Sequence, residues 1–152
     1  MPQKNSITEQ PTSSYHGRTL VTGEATGAAL LLAEPLSFWG GMDVATGQII
    51  DQHHPQVGIC LTGHVILMPA GRGSSSSSSV LAEAIYAGTA PAAIVLNEPD
   101  VIVALGAMVA QELYDLACPI VVVTDFAGIT QGSCLSITAT PSSATVQVVD
   151  RR

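Results

Sequence analysis

Three short runs of branched apolar residues, HVILM at 64–68, AAIVL at 92–96 and IVVV at 120–123, are separated by two stretches with helical spacing. In the first stretch Val80, Leu81, Ala84 and Ile85 recur near a 3.6-residue period, with Gly88 positioned to end the helix; the second runs from Val103 to Tyr114. Strand, helix, strand, helix, strand predicts parallel pairing of buried strands joined by helical crossovers. A chain of 152 residues leaves room for one such domain. Its apolar content is 47% but only 4% is aromatic, so the core has to be built from Val, Ile, Leu and Ala packed closely.

The flanking segments add β structure of another kind. Residues 18–21 and 28–32 are apolar runs separated by Gly-Glu-Ala-Thr-Gly, which reads as two strands joined by a tight connection. Residues 135–139 and 145–149, separated by Thr-Pro-Ser-Ser, read as a hairpin-like ending. The fold class expected is therefore α/β, with a partly parallel sheet and additional antiparallel strands. Residues 1–16 are polar, without the apolar core of a secretory signal, and are expected to form a flexible leader to a domain at 17–150 in a cytoplasmic protein. The longest apolar stretch, 101–110, is half what a bilayer span requires and contains Gly106.

Charge and cysteine usage exclude several classes. A net charge of −7, with Arg72 the only permanent cation between residues 19 and 150, is the wrong sign for gripping a nucleic-acid backbone. Cys60, Cys118 and Cys134 are odd in number and form no Cys-x-x-Cys pair, so neither a disulfide framework nor a zinc site is signalled. They read as reduced, buried, small apolar residues.

The segment PAGRGSSSSSSV at 69–80 carries the chemistry. Taken alone, six serines are a flexible linker. Here they connect a strand to an amphipathic helix, and a strand–glycine–helix junction presents unpaired N–H groups at the positive end of a helix dipole. Arg72 can grip a carboxylate or phosphate bidentately, and Gly71 and Gly73 allow close approach of a ligand. The long segment 36–55 is expected to be mostly loop, with only 48–50 dense enough for a strand. It holds the one Trp and two of the four His.

The motifs SFWGGMD at 37–43, HHP at 53–55, GRGSSSSSSVLAEAI at 71–85, APAAIVLNEPD at 90–100 and ALGAMVAQEL at 104–113 together resemble the small subunit, or swivel domain, of the aconitase X family, with the likeness running over residues 17–137. The resemblance implies a swivelling β/β/α domain that closes over a large catalytic subunit carrying a cysteine-ligated iron–sulfur cluster or iron. This chain would bind no cofactor itself, and its exposed docking face would allow homo-oligomers when isolated.

The resemblance also implies that Ser74, which follows Gly73, is the base removing a proton alpha to a carboxylate; Arg72, Gly73 and Ser75 are expected to bind substrate, Ser75 is the nearest substitute for Ser74, and Ser76 to Ser79 serve as cap and first turn. A helix N-terminus supplies at most about 2 kcal/mol, roughly 1.5 pKa units, too little alone to make a serine alkoxide at neutral pH. The deficit would fall to Arg72, nearby N–H groups and exclusion of water on closure.

Weaker candidates each have a plain structural alternative. His53 or His54 offers an imidazole to the site, and Asp43 a site carboxylate or a turn-former. Trp39 with Phe38 would form an interface wall or a core plug, and Asp125 a ligand at a strand end or a helix N-cap. Two activities are familiar in the family, dehydration of cis-3-hydroxy-L-proline to a pyrroline carboxylate and dehydration of mevalonate 5-phosphate. One cation favours the carboxylate substrate over the phosphate. The rival reading is a non-catalytic anion-binding or regulatory module.

Overall fold

The computed structural model describes residues 11–149. Seven strands, β1 (Pro11–Val21), β2 (Gly23–Leu31), β3 (Val65–Met68), β4 (Ala93–Leu96), β5 (Ile120–Val122), β6 (Cys134–Ala139) and β7 (Ala144–Val149), close into a barrel in the order β1-β5-β4-β3-β2-β6-β7. Three helices, α1 (Phe38–Gly41), α2 (Ser77–Ala87) and α3 (Val101–Tyr114), complete the fold. Strands β3, β4 and β5 are parallel neighbours, as the alternation of strand and helix predicts, and β2 adds to them in parallel beside β3. The pairs β2–β6, β6–β7, β7–β1 and β1–β5 are antiparallel.

The two long strands belong to both halves. β1 pairs with β7 from Pro11 to Gly17 and with β5 from Arg18 onward. β2 pairs with β6 from Gly23 to Ala28 and with β3 from Ala29 to Leu31. A glycine stands at or beside each change of partner. A β-carbon on Gly17 would run into the carbonyl of Val122, and one on Gly27 into the carbonyl of Gly63. The missing side chains are where the second backbone passes.

Side-chain alternation then creates two cores. Val65 and Leu67, Ala93 and Val95, and Val121 point into the barrel, where they meet Leu135, Ile137 and Val146 of the antiparallel half. Ile66, Met68, Ile94, Leu96 and Ile120 point outward and are covered by Leu81, Ala84 and Ile85 of α2 and by Val103, Ala107 and Ala110 of α3. Burial on both faces explains why the parallel strands read as unbroken apolar runs. The result is the β/β/α layering expected. α2 ends at Gly88, whose left-handed backbone (φ 79°) lets its N–H reach the carbonyls of Ala84 and Ile85.

Several expectations need correction. The Gly-Glu-Ala-Thr-Gly stretch is not a turn between paired strands: it is the first half of β2, and β1 and β2 are not neighbours in the barrel. The leader was expected to extend to residue 16, but β1 begins at Pro11; residues 1–10 lie outside the described part. Residues 48–50 contribute only isolated bridges, from Gln48 to Cys60 and from Ile49 to Met42. Of the cysteines only Cys118 is fully buried; Cys60 is exposed and Cys134 half-buried.

Replacing Gly17 with Val is expected to lower stability by at least about 3 kcal/mol, because the Val122 backbone cannot give way without opening the β1–β5 pairing. Thermal unfolding checks this against Ser14→Val, an exposed position of the same strand, which should stay within about 0.5 kcal/mol.

Candidate functional site

The site is assembled where the parallel strands end. Beyond β3 the Pro69 carbonyl accepts the N–H groups of Asn97 (3.1 Å) and Glu98 (3.2 Å), and the Asn97 side-chain amide donates to the carbonyls of Val123 (3.0 Å) and Thr124 (3.3 Å). Asn97 thus ties together the loops that follow β3, β4 and β5. Sequence reasoning missed it, since a single Asn after a strand looks like any loop residue.

The 70–76 loop lies against the 36–39 turn. The Arg72 N–H donates to the Leu36 carbonyl (3.3 Å), and Gly73 has φ 101° with Ser37 Oγ where a β-carbon would project. Gly71 similarly abuts the carboxylate of Asp100. A β-carbon at either position would force its neighbour to move, and at Gly73 the positive φ itself favours glycine. Asp100 in turn caps α3, its Oδ1 accepting the Val103 N–H (3.0 Å).

The six serines divide the work. Ser74 Oγ accepts the Ser76 N–H (3.1 Å) and its carbonyl accepts the Ser77 N–H (3.0 Å), so Ser74 does the capping although regular helix begins at Ser77. The Ser75 carbonyl accepts both the N–H (3.3 Å) and the hydroxyl (2.9 Å) of Ser78. Ser77 is buried, and its Oγ accepts the Trp39 N–H (3.2 Å) and lies 3.4 Å from Ser37 Oγ. The run is therefore an ordered junction rather than a linker. Arg72, Gly73, Ser74 and Ser75 are exposed along it, beside the N-terminus of an 11-residue helix. Such an arrangement can hold an anion between a guanidinium and backbone N–H groups, and it stabilises negative charge on Ser74 Oγ.

The weaker candidates resolve differently. His54 is buried, with Nδ1 accepting the Gln56 N–H (3.0 Å) and Nε2 donating to the Glu34 carbonyl (3.2 Å). Both ring nitrogens are used in holding the loop, which leaves none for a substrate. His53 is exposed, its N–H bonded to Asp51 Oδ1 (2.9 Å). Asp43 closes its own turn through Oδ1 on the Ala45 N–H (2.9 Å). Asp125 does the same with Ala127 (2.9 Å), and no helix follows it, so the N-cap expectation is corrected. Phe38 fills the core at 0% exposure while Trp39 stands 58% exposed beside the serine loop. Core plug and exposed wall are separate residues.

An iron–sulfur cluster needs thiolates gathered round it, and among the described residues Cys60, Cys118 and Cys134 are separate free cysteines. Cys118 lies buried with its Sγ 3.5 Å from the Pro91 carbonyl, and burial pushes its thiol up to about 12. Among the described residues no group of three or more His, Cys, Asp or Glu could hold a metal ion. No described helix is long and apolar enough to cross a membrane.

A family model described as the aconitase X swivel domain matches residues 14–148. A cis-3-hydroxy-L-proline dehydratase of Pseudomonas aeruginosa is 53% identical over 103 residues, 68% of this chain and 18% of that protein. One from Hypocrea jecorina is 42% identical over 116 residues, 75% of this chain and 20% of that protein. The chain thus spans only 18–20% of the length of these relatives. The phosphomevalonate dehydratase small subunit of Methanothermobacter thermautotrophicus is 43% identical over 93 residues, 61% of this chain and 71% of that one. The crystal structure of Thermococcus kodakaraensis aconitase X in its holo-form superposes with a TM-score of 0.80 at 30% identity, covering 91% of this chain and 99% of that one.

Substituting Ser77 by Ala removes the acceptor of the Trp39 N–H and is expected to cost about 1–2 kcal/mol. Denaturation followed through the emission of the one tryptophan measures it, with exposed Ser79→Ala as the control near zero.

Proposed function

The chain belongs to the aconitase X swivel-domain family, and from that membership we propose that it is the small component of a hydro-lyase that dehydrates a hydroxy carboxylate. The observation that carries this reading is the 72–76 loop, where Ser74 Oγ accepts a backbone N–H at the start of α2 beside the exposed Arg72. The Ser76 N–H that Ser74 Oγ caps is also the donor that lowers the cost of charging the Ser74 oxygen.

In this reading the Arg72 guanidinium takes the substrate carboxylate in a two-pronged grip, with Gly73 and Ser75 lining the approach. Ser74 Oγ removes the proton from the carbon next to that carboxylate. The hydroxyl on the neighbouring carbon takes a proton from an acid group of the larger subunit and leaves as water, the C–O electron pair going with it as the new double bond forms. An iron–sulfur cluster, where present, would supply Lewis acidity from that subunit. The dipole of α2 covers at most about 1.5 pKa units of the serine's deficit, so activity requires the closed assembly.

We assign cis-3-hydroxy-L-proline as substrate, because the relatives named for that reaction are up to 53% identical and the loop offers one guanidinium rather than the several cations a phosphate dianion draws. Mevalonate 5-phosphate is the second reading. It is favoured by the chain's spanning 71% of a phosphomevalonate dehydratase small subunit, against 18% of the hydroxyproline enzyme.

Assembly with the larger subunit followed by assay on both substrates separates the two. Ser74→Ala is expected to lower kcat about 10³-fold with assembly intact. Retention of turnover within tenfold would move the base elsewhere, and loss of ligand affinity without any turnover in the wild type would leave an anion-binding module. Arg72→Lys is expected to raise KM about tenfold, since an ammonium cannot reproduce the paired contact.

A further inference from the structure

α3 buries one side against α2 and the sheet, but its other side is apolar and open. Val101 is 79% exposed, Leu105 49% and Met108 48%. Beside this face runs a cleft of about 310 Å³ between α3 and β1, lined by Leu20, Ala104, Leu105 and Met108 and bordered by Arg18 and Asp100. A second cleft of about 390 Å³ continues from it past Arg18 and Pro99 to Asn97 and Thr124. Together they lead from the exposed flank of α3 to the ends of the parallel strands.

We infer that this groove is the seat of the larger subunit, and that the partner's contacting surface is an apolar ridge edged by Lys and Arg, with a carboxylate placed for Arg18. The inference rests on the hydro-lyase reading, which requires a partner. Three observations select that occupant. The groove is continuous with the candidate site, because Asp100, which borders it, is also the group against which Gly71 of the serine loop is packed. A body seated in the groove therefore lies beside the Asp100 end of the loop that carries Arg72 and Ser74.

The second observation is charge. The rim of the α3 face carries Glu98 and Asp100 at one end and Glu112 and Asp115 at the other, in a chain of net charge −7. A two-fold pairing with a second copy sets carboxylate against carboxylate in either helix orientation, whereas a basic rim is complementary. Arg18 is the one permanent cation lining the clefts, the second of which His16 also borders, and Arg18 has no ion pair among the described residues.

The third is covalent arrangement in relatives. In the Pseudomonas aeruginosa dehydratase the region matched is 18% of a longer chain, whereas in Methanothermobacter thermautotrophicus it is a small subunit standing apart. A surface serving both must hold its partner without a tether, which calls for an apolar area with few competing charges at its centre.

The test mixes the full chain with the purified larger subunit of the same organism and measures Kd by sedimentation velocity over a salt series, with turnover read in parallel. Leu105→Glu is expected to weaken the complex at least 100-fold. Arg18→Glu should weaken it about tenfold and change its salt dependence, while both variants keep the wild-type circular dichroism and melting temperature. Met108→Ser serves as a milder second variant, expected to weaken binding several-fold.

Binding of Leu105→Glu within twofold of wild type overturns the groove assignment while leaving the hydro-lyase reading in place. A wild-type chain that neither binds the larger subunit nor supports turnover overturns that reading and this one with it. Self-association of the wild type that Leu105→Glu abolishes, without loss of binding to the larger subunit, gives the face to a second copy and overturns the inference.

Discussion

The fold depends on how closely two backbones can approach where a long strand changes partners. Gly17 sits against the Val122 carbonyl and Gly27 against that of Gly63. At these points β1 and β2 leave the antiparallel half and enter the parallel one. Any side chain there would hold the halves apart, and the interior of the barrel, filled by Val, Leu, Ile and Ala, would lose its closure.

Closure of the barrel also sets the site. With β3, β4 and β5 in parallel register, their carboxyl ends emerge together, and Asn97 bonds across all three exits. The loop after β3 is then laid on the 36–39 turn, with Gly73 making the space and Ser77 holding Trp39. Ser74 and Arg72 are placed by backbone rather than by neighbouring side chains, so little besides solvent surrounds them in the isolated chain. The proposed base, being so exposed, acts only once something covers it, and the apolar groove beside Asp100 offers a seat for that cover.

The parallel half was legible because strands buried on both faces leave uninterrupted apolar runs, and because Gly88 and the Leu81–Ala84–Ile85 spacing mark the end and the face of α2. Residues 28–32 read as a strand, but the first half of β2, 23–27, reads as a turn because glycine, threonine and glutamate are turn-rich in composition. Here the glycine serves close approach between strands, which composition does not distinguish from a reversal. His54 showed a similar ambiguity: next to His53 and Pro55 it looks like site chemistry, yet its partners are the Gln56 N–H and the Glu34 carbonyl. The serine loop was legible in position but not in its internal division, since six identical residues give no hint that Ser77 is buried and Ser74 caps.

That uniformity has a genetic corollary. If one serine codon were lost from the run, the residue at each position from 74 to 78 would still be serine, so cap and pillar would both find a hydroxyl. What would change is the phase of Leu81, Ala84 and Ile85, which would turn by about 100° about the helix axis relative to Gly73. The tract is therefore redundant in chemistry and strict in length. Variation by slippage in this repeat would be felt as misdocking of α2 on the sheet, and not as the loss of a functional group.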